Sequence, residues 1–187
     1  SSSSAASDVY KRQVSILAGA GLVVILPGRT AGEKHRVLER HRLKGDDYEA
    51  QADFIKSFRE RYRIEHIGID ITGIGNAVAE HVAKWFPLVC RYRYTPELKA
   101  LMVMQAQHIM RKGRLEFDAG WADMAQSFMA IKKELTASGR QFTYTSGRTK
   151  ATGHADLAWA TMHALHKEPI EGPDSSGTGQ SMMEMYE

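Results

Sequence analysis

The stretch "EHIGIDITGIGNAVAEHVAKWF", residues 65–86, opens as a run of strand formers and closes as an amphipathic helix. At the joint stands one carboxylate, Asp70, followed by the small-residue turn Thr72-Gly73-Ile74-Gly75. A lone buried carboxylate costs several kcal/mol unless something compensates it. Two compensations are available here: the N–H groups of the helix beyond the turn, or a metal ion. From this segment alone both a capping aspartate and a metal ligand remain open.

Working outward, "AGLVVIL" (20–26) is an apolar strand broken by Pro27-Gly28, and "KHRVLERHR" (34–42) reads as its hairpin partner. Asp46 with Glu49 makes a capping-box pattern ahead of a helix over 46–62, with Phe54, Ile55, Phe58 and Tyr62 on one face. Helices are expected over 76–86, stopped by Pro87, and over 97–112, opened by Thr95-Pro96 and ended by Gly113. Its Leu98, Leu101, Met102, Ile109 and Met110 recur at helical spacing, and the methionines read as core. "VCRYRY" and "RLEF" (114–117) are short strands, 121–133 and 154–166 helices, and "LTASGRQFTYTS" a small hairpin around Ser138-Gly139. The hairpin first and then strands alternating with helices predict an α/β domain. Its mixed sheet is antiparallel at one side and carries helices on both faces.

The chain has 187 residues, 43% of them hydrophobic, which suits one domain with a real core. The net charge of +3 is uneven: residues 167–187 hold one lysine against five acids, leaving +7 on the body. A basic body points weakly to a polyanionic partner. Cys90 is the only cysteine, which excludes an internal disulfide and a cysteine zinc cluster and fits a reducing cytoplasm. No apolar run approaches the ~20 residues of a membrane span. Residues 169–187 read as a disordered tail. "SSSSAASDVYKRQ" (1–13) resembles translated sequencing-adapter DNA and is read as non-native, so the domain is expected over 14–168.

"TGHADLAWA" supplies a second carboxylate, Asp156, in the first turn of an otherwise apolar helix, where the helix dipole favours the ionised form. First-turn acids are common, so a capping role stands beside a catalytic one. Ligands of such sheets gather where strands end and helices begin. Two carboxylates at such places suit hard divalent cations, which take oxygen ligands and keep waters and phosphate oxygens in their shell. A pair of such ions about 3.5–4 Å apart can hydrolyse a phosphodiester.

The segments "IGIDITGIGNAV", "GRLEFDAGW", "QSFMAIKKELTASGRQFTY" and "GHADLAWATMHAL" resemble, in order and spacing, the C-terminal nuclease domain of the large terminase subunit of tailed double-stranded DNA phages. The resemblance runs from about residue 18 to 168. It implies a ribonuclease H-like fold and an endonuclease that cuts concatemeric viral DNA during packaging, with Mg²⁺ or Mn²⁺, as two ions, for cofactor. By position it makes Asp70 and Asp156 the catalytic metal ligands. Double-stranded DNA, the portal, the small terminase subunit and an ATPase domain of the full-length chain are the implied partners, in the cytoplasm of a bacterial host.

One departure stands out. The family pattern has a first strand with a further metal-binding Asp, and no Asp occurs here between Asp8 and Asp46. That strand is therefore expected to be missing, and the chain weakly active or inactive. No G-x-x-x-x-G-K-[ST] phosphate loop is present either.

The remaining candidates are weaker. Gly73-Ile74-Gly75 lacks the third glycine of a dinucleotide fingerprint, since position 78 is Val. Asp118 reads as a helix-start cap before a metal ligand, Glu39 as a solvent-face strand residue, and His154 as helix-entry polarity or a phosphate contact. Arg140, Arg148 and Lys150, around Phe142 and Tyr144, are the candidate DNA-phosphate contacts, against a solvated loop. Two other functions stay in view: a resolvase-like nuclease on the same fold, and a non-catalytic DNA-binding or motor-docking module.

Overall fold

The computed structural model describes residues 13–28, 33–43, 45, 47–72, 75–147, 153 and 155–166. One six-stranded sheet organises them, built from β1 (Gln13–Ala18), β2 (Gly21–Leu26), β3 (His35–Arg42), β4 (Arg63–Asp70), β5 (Cys90–Tyr92) and β6 (Leu115–Glu116) in the order β5-β4-β1-β2-β3-β6. β2 runs antiparallel to both β1 and β3, while β4 joins β1, β5 joins β4 and β6 joins β3 in parallel. The expected mixed sheet, antiparallel on one side, is present.

The expectation of a missing first strand does not hold. Residues 13–18 form β1 at the centre of the sheet, between β2 and β4. Its short apolar run alternates as a strand should: Val14, Ile16 and Ala18 enter one core and Leu17 the other. No acid lies within it.

Two apolar cores cover the two sheet faces. On one, α1 (Tyr48–Ser57), a 3₁₀ turn (Phe58–Glu60) and α2 (Gly75–Ala83) set Ile55, Phe58, Val78 and Val82 against Ile16, Val24, Ile67 and Ile69. On the other, α3 (Pro96–Arg111), α4 (Ala122–Met129) and α5 (Asp156–Leu165) set Met102, Ile109, Met124 and Leu157 against Leu17, Val23 and Ile25. Each such side chain contributes about 1.5–3 kcal/mol on burial. α5 is buried on nearly every side, as its lack of a polar face requires. Among the described residues no helix is long and apolar enough to cross a membrane.

Local chemistry sets the helix ends. Thr95 caps α3, its hydroxyl accepting from the Leu98 N–H at 3.2 Å with Pro96 behind it. The cap of α1 is Asp47, which accepts from the Ala50 N–H at 2.8 Å; Asp46 lies outside the described residues. α4 is shorter than the expected 121–133. It stops at Met129, and Ile131–Leu135 (β7) pairs antiparallel with Phe142–Ser146 (β8) as a separate hairpin. The methionine-rich α3 buries only part of its apolar set: Met102 and Ile109 are inside, whereas Leu101 is 54% and Met104 62% exposed.

Candidate active site

β4 ends at Asp70, whose Oδ1 accepts from the Thr72 N–H at 2.8 Å in an aspartate turn. A β-carbon at Gly75 would collide with the Asp70 carbonyl, so glycine there lets α2 start directly on the strand end. Asp156 is delivered by α5. Ala155 before it is left-handed, at φ 61°, a strained conformation for a residue with a side chain, and α5 has no side-chain cap of its own. Ser127 of α4 substitutes, its Oγ accepting from the Ala158 N–H at 3.0 Å in a buried contact. β2 seats against the same turn. A β-carbon at Gly21 would fall 2.9 Å from that of Asp156, so only glycine brings the strand this close.

The two carboxylates border one cleft of about 420 Å³. Residues 18–21 and the β8 residues Thr145 and Ser146 line it, together with Thr72, Tyr94, Lys99 and the α5 residues Trp159, Ala160 and His163. A larger groove of about 1040 Å³ lies elsewhere, between α1 and the chain after α2, and includes neither carboxylate.

The electrostatics are those of a site short of positive charge. Burial pushes the Asp70 carboxyl above its ordinary value and the charge of Asp156 adds to this, against hydrogen bonds from Thr72 and the charge of Lys99. Burial, then the charges of Asp70 and Asp156, push the Tyr94 phenol well above its ordinary value, so it stays a hydrogen-bond donor. His163 stacks on Tyr92 at 4.4 Å and on Tyr94 at 5.0 Å. Burial lowers its pKa to about 3, which keeps the ring neutral. Its Nε2 has no hydrogen-bond partner among the described residues.

Of the sequence-derived candidates, the structure brings Asp70 and Asp156 together. Arg140 lies in the exposed β7–β8 turn, outside the lining of the cleft; Arg148, Lys150 and His154 lie outside the described residues. Asp118 accepts from the Gly120 N–H at 2.7 Å and builds the turn before α4, also away from the carboxylates. Glu39 is not a solvent-face residue. Its side chain is 16% exposed and takes hydrogen bonds from Arg61 and Tyr62, both at 2.6 Å, with His41 Nε2 at 2.9 Å. Sequence reasoning missed Tyr94, Lys99, Trp159 and His163. One signal was available: Asp156, Trp159, Ala160 and His163 fall at i, i+3, i+4 and i+7, a single stripe of one helix.

Among the described residues no group of three or more His, Cys, Asp or Glu could hold a metal ion. The cleft thus presents a carboxylate pair, with Thr72, Thr145 and Ser146 also on its lining. A pair of partly buried carboxylates fits a hard divalent cation.

The model of the terminase RNaseH-like domain family matches residues 19–168. The chain belongs to that family. Over 167 residues it is 46% identical to the terminase ATPase subunit of Escherichia phage P2, covering 89% of this chain and 28% of that protein. Over 153 residues it is 36% identical to the probable terminase ATPase subunit of Haemophilus phage HP1, covering 81% and 25%. This terminase domain thus spans about a quarter of the length of those relatives. Its fold matches the large terminase nuclease of thermophilic phage G20c with bound magnesium at a TM-score of 0.64 and 17% identity, over 82% of this chain and 79% of that one. It matches the HK97 bacteriophage large terminase at 0.57 and 12%, over 82% and 38%. This terminase domain is accordingly ribonuclease H-like in fold.

Proposed function

We propose that this domain is a divalent-metal-dependent endonuclease that cuts concatemeric viral DNA during genome packaging. The convergence of Asp70 and Asp156 on one cleft, from the end of β4 and the start of α5, carries this reading. Family membership and a G20c nuclease neighbour with bound magnesium support Mg²⁺ or Mn²⁺ as the cofactor. Asp70 and Asp156 would hold the cation, which supplies charge neutralisation at the scissile phosphate and a more acidic water. Asp70 is oriented for this by the Thr72 N–H, and Asp156 by the helix start that Ser127 and Gly21 fix. Tyr94, held protonated, offers a donor at the cleft. Catalysis is positioning plus charge neutralisation, without a covalent enzyme intermediate.

Arg140, Arg148 and Lys150 belong to the same reading as duplex contacts. Arg148 and Lys150 lie in sequence between Ser146, which lines the cleft, and Gly153, which abuts Asp156. The relatives' names make an ATPase domain the natural companion in the full-length protein, with the portal and the small subunit as further partners in the host cytoplasm.

One observation favours a second reading, a non-catalytic DNA-binding or docking module: β1 carries no carboxylate. Plasmid cleavage in Mg²⁺ by this chain, beside a variant with a carboxylate introduced at Gly19, just past β1, and one lacking Asp70, separates the two. Metal-dependent cleavage in either Asp70-containing protein and none without Asp70 supports the nuclease; binding without cleavage in all three supports the module. A marked preference for branched over linear duplex would indicate a resolvase instead.

A further inference from the structure

The cleft contains a cation that the carboxylate chemistry does not use. Lys99, in the first turns of α3, is half-buried and lines the cleft with Asp70 and Asp156. Its ammonium sits 5.5 Å from the Tyr94 ring centroid and 5.4 Å from that of Trp159. Those rings are themselves fixed: Tyr94 packs on Trp159 at 5.4 Å and stacks on the buried His163, which stacks on Tyr92. An aromatic column thus rises from the core to the cleft with Lys99 over its end. Attraction to the two ring faces holds the long side chain there and reduces the rotamer entropy lost on ligand binding.

Lys99 is the one lysine or arginine among the described residues that line this cleft. Its charge is felt at Asp70, opposing the effect of burial there. Lys99 adds one fixed positive charge to the wall of a cleft that otherwise carries two carboxylates, and one ammonium is the complement of one backbone phosphate.

We infer that Lys99 is a substrate-contacting residue whose ammonium, held over Tyr94 and Trp159, binds a backbone phosphate of the DNA strand presented to Asp70 and Asp156. The inference rests on the DNA-nuclease reading and deepens it by naming a contact on the cleft itself, apart from Arg140, Arg148 and Lys150. The competing role is a strap that packs the aromatic column and touches no DNA. Lys99→Met and Lys99→Gln remove the charge while retaining a stem to cover the rings; Lys99→Arg keeps the charge.

The test is the salt dependence of duplex binding by the chain as it stands, with and without Mg²⁺, by fluorescence anisotropy, with melting temperature read on the same samples. The Met and Gln variants are each expected to lose about 0.9 from the slope of log K against log salt, the value of one phosphate contact, and Lys99→Arg to restore it. A strap predicts a lower melting temperature in the Met and Gln variants with an unchanged slope, and that result overturns the inference while leaving the nuclease reading in place. No measurable duplex binding by the unmodified chain overturns both.

Discussion

Gly19, just past β1, stands beside Asp70 at the end of β4: a β-carbon at position 19 would lie 3.5 Å from the Asp70 β-carbon and 3.9 Å from its Oδ2. The parallel register of β1 with β4 runs through Ala18 opposite Ile69, so Gly19 is the next residue along, level with Asp70. A third carboxylate would converge on the pair from this position, and the position has no side chain. Two carboxylates neutralise less charge than three, so the unmodified chain should cleave plasmid weakly or not at all in Mg²⁺. Gly19 does not have a positive φ, so aspartate can be placed there without backbone strain. Gly19→Asp should lower the metal-free melting temperature, because three like charges repel, and enlarge the stabilisation given by Mg²⁺. Thermal melts across a Mg²⁺ titration check this; efficient cleavage by the unmodified chain would show that the pair suffices.

The layout was legible because strands and helices carry different hydrophobic periods. The 20–26/34–42 hairpin, the 65–70 strand and the apolar α5 segment all fell close to their places. β1 was not legible, because six residues with one alternation carry little signal beside a low-complexity leader. Its strand character comes from the partners on both sides. Ile131 continued the helical spacing of Trp121, Met124 and Phe128, yet pairing with Ser146 draws it into β7. At the site, the carboxylates were readable as charges at element ends. Tyr94 and Lys99 were not, since they reach the cleft from around the start of α3, which only the tertiary fold brings near Asp70.

Glu39 links β3 to the end of the α1 layer through Arg61 and Tyr62, with His41 beside it. Burial alone would raise its pKa, but the hydrogen bonds from Tyr62 and His41 and the charge of Arg61 outweigh this and hold it below the ordinary 4.5. A lowered carboxylate contributes stability above its unfolded pKa and loses it as pH falls through the folded one. Glu39→Gln should therefore destabilise the domain by about 1 kcal/mol at pH 7, with the deficit shrinking as pH falls below the ordinary 4.5 and through the lowered folded value. Urea melts of both proteins across that pH range test this; a deficit independent of pH would assign the loss to packing.

Arg140, Arg148 and Lys150 can be separated from a solvated loop by salt. If each contacts a phosphate, replacing all three should lower the slope of log K against log salt for duplex binding by about 0.9 per lost contact. Affinity should fall uniformly across DNA sequences, because phosphate contacts carry no base information. An unchanged slope would return this segment to the role of a solvated connection.

Asp70 decides between the two readings left open by the strand-to-helix joint. A capping aspartate stabilises the fold and owes nothing to catalysis; a metal ligand does the reverse. The pKa of Asp70 is raised, first by burial, above its ordinary 3.8. A raised carboxylate favours the folded state at low pH, and that advantage is lost as pH rises through the folded pKa. At pH 7 and without metal, the ionised Asp70 therefore weighs on stability. Asp70→Asn removes the charge but keeps an oxygen to accept from the Thr72 N–H, so its melting temperature should equal or exceed that of the parent at pH 7. Mg²⁺ should narrow the difference, because it stabilises the parent more. In the Gly19→Asp background the same substitution should abolish cleavage while leaving most DNA affinity intact, since phosphate contacts elsewhere are untouched. Melting temperature and cleavage rate measured on one sample settle it: a destabilised but still active Asp70→Asn protein ends the metal-ligand reading.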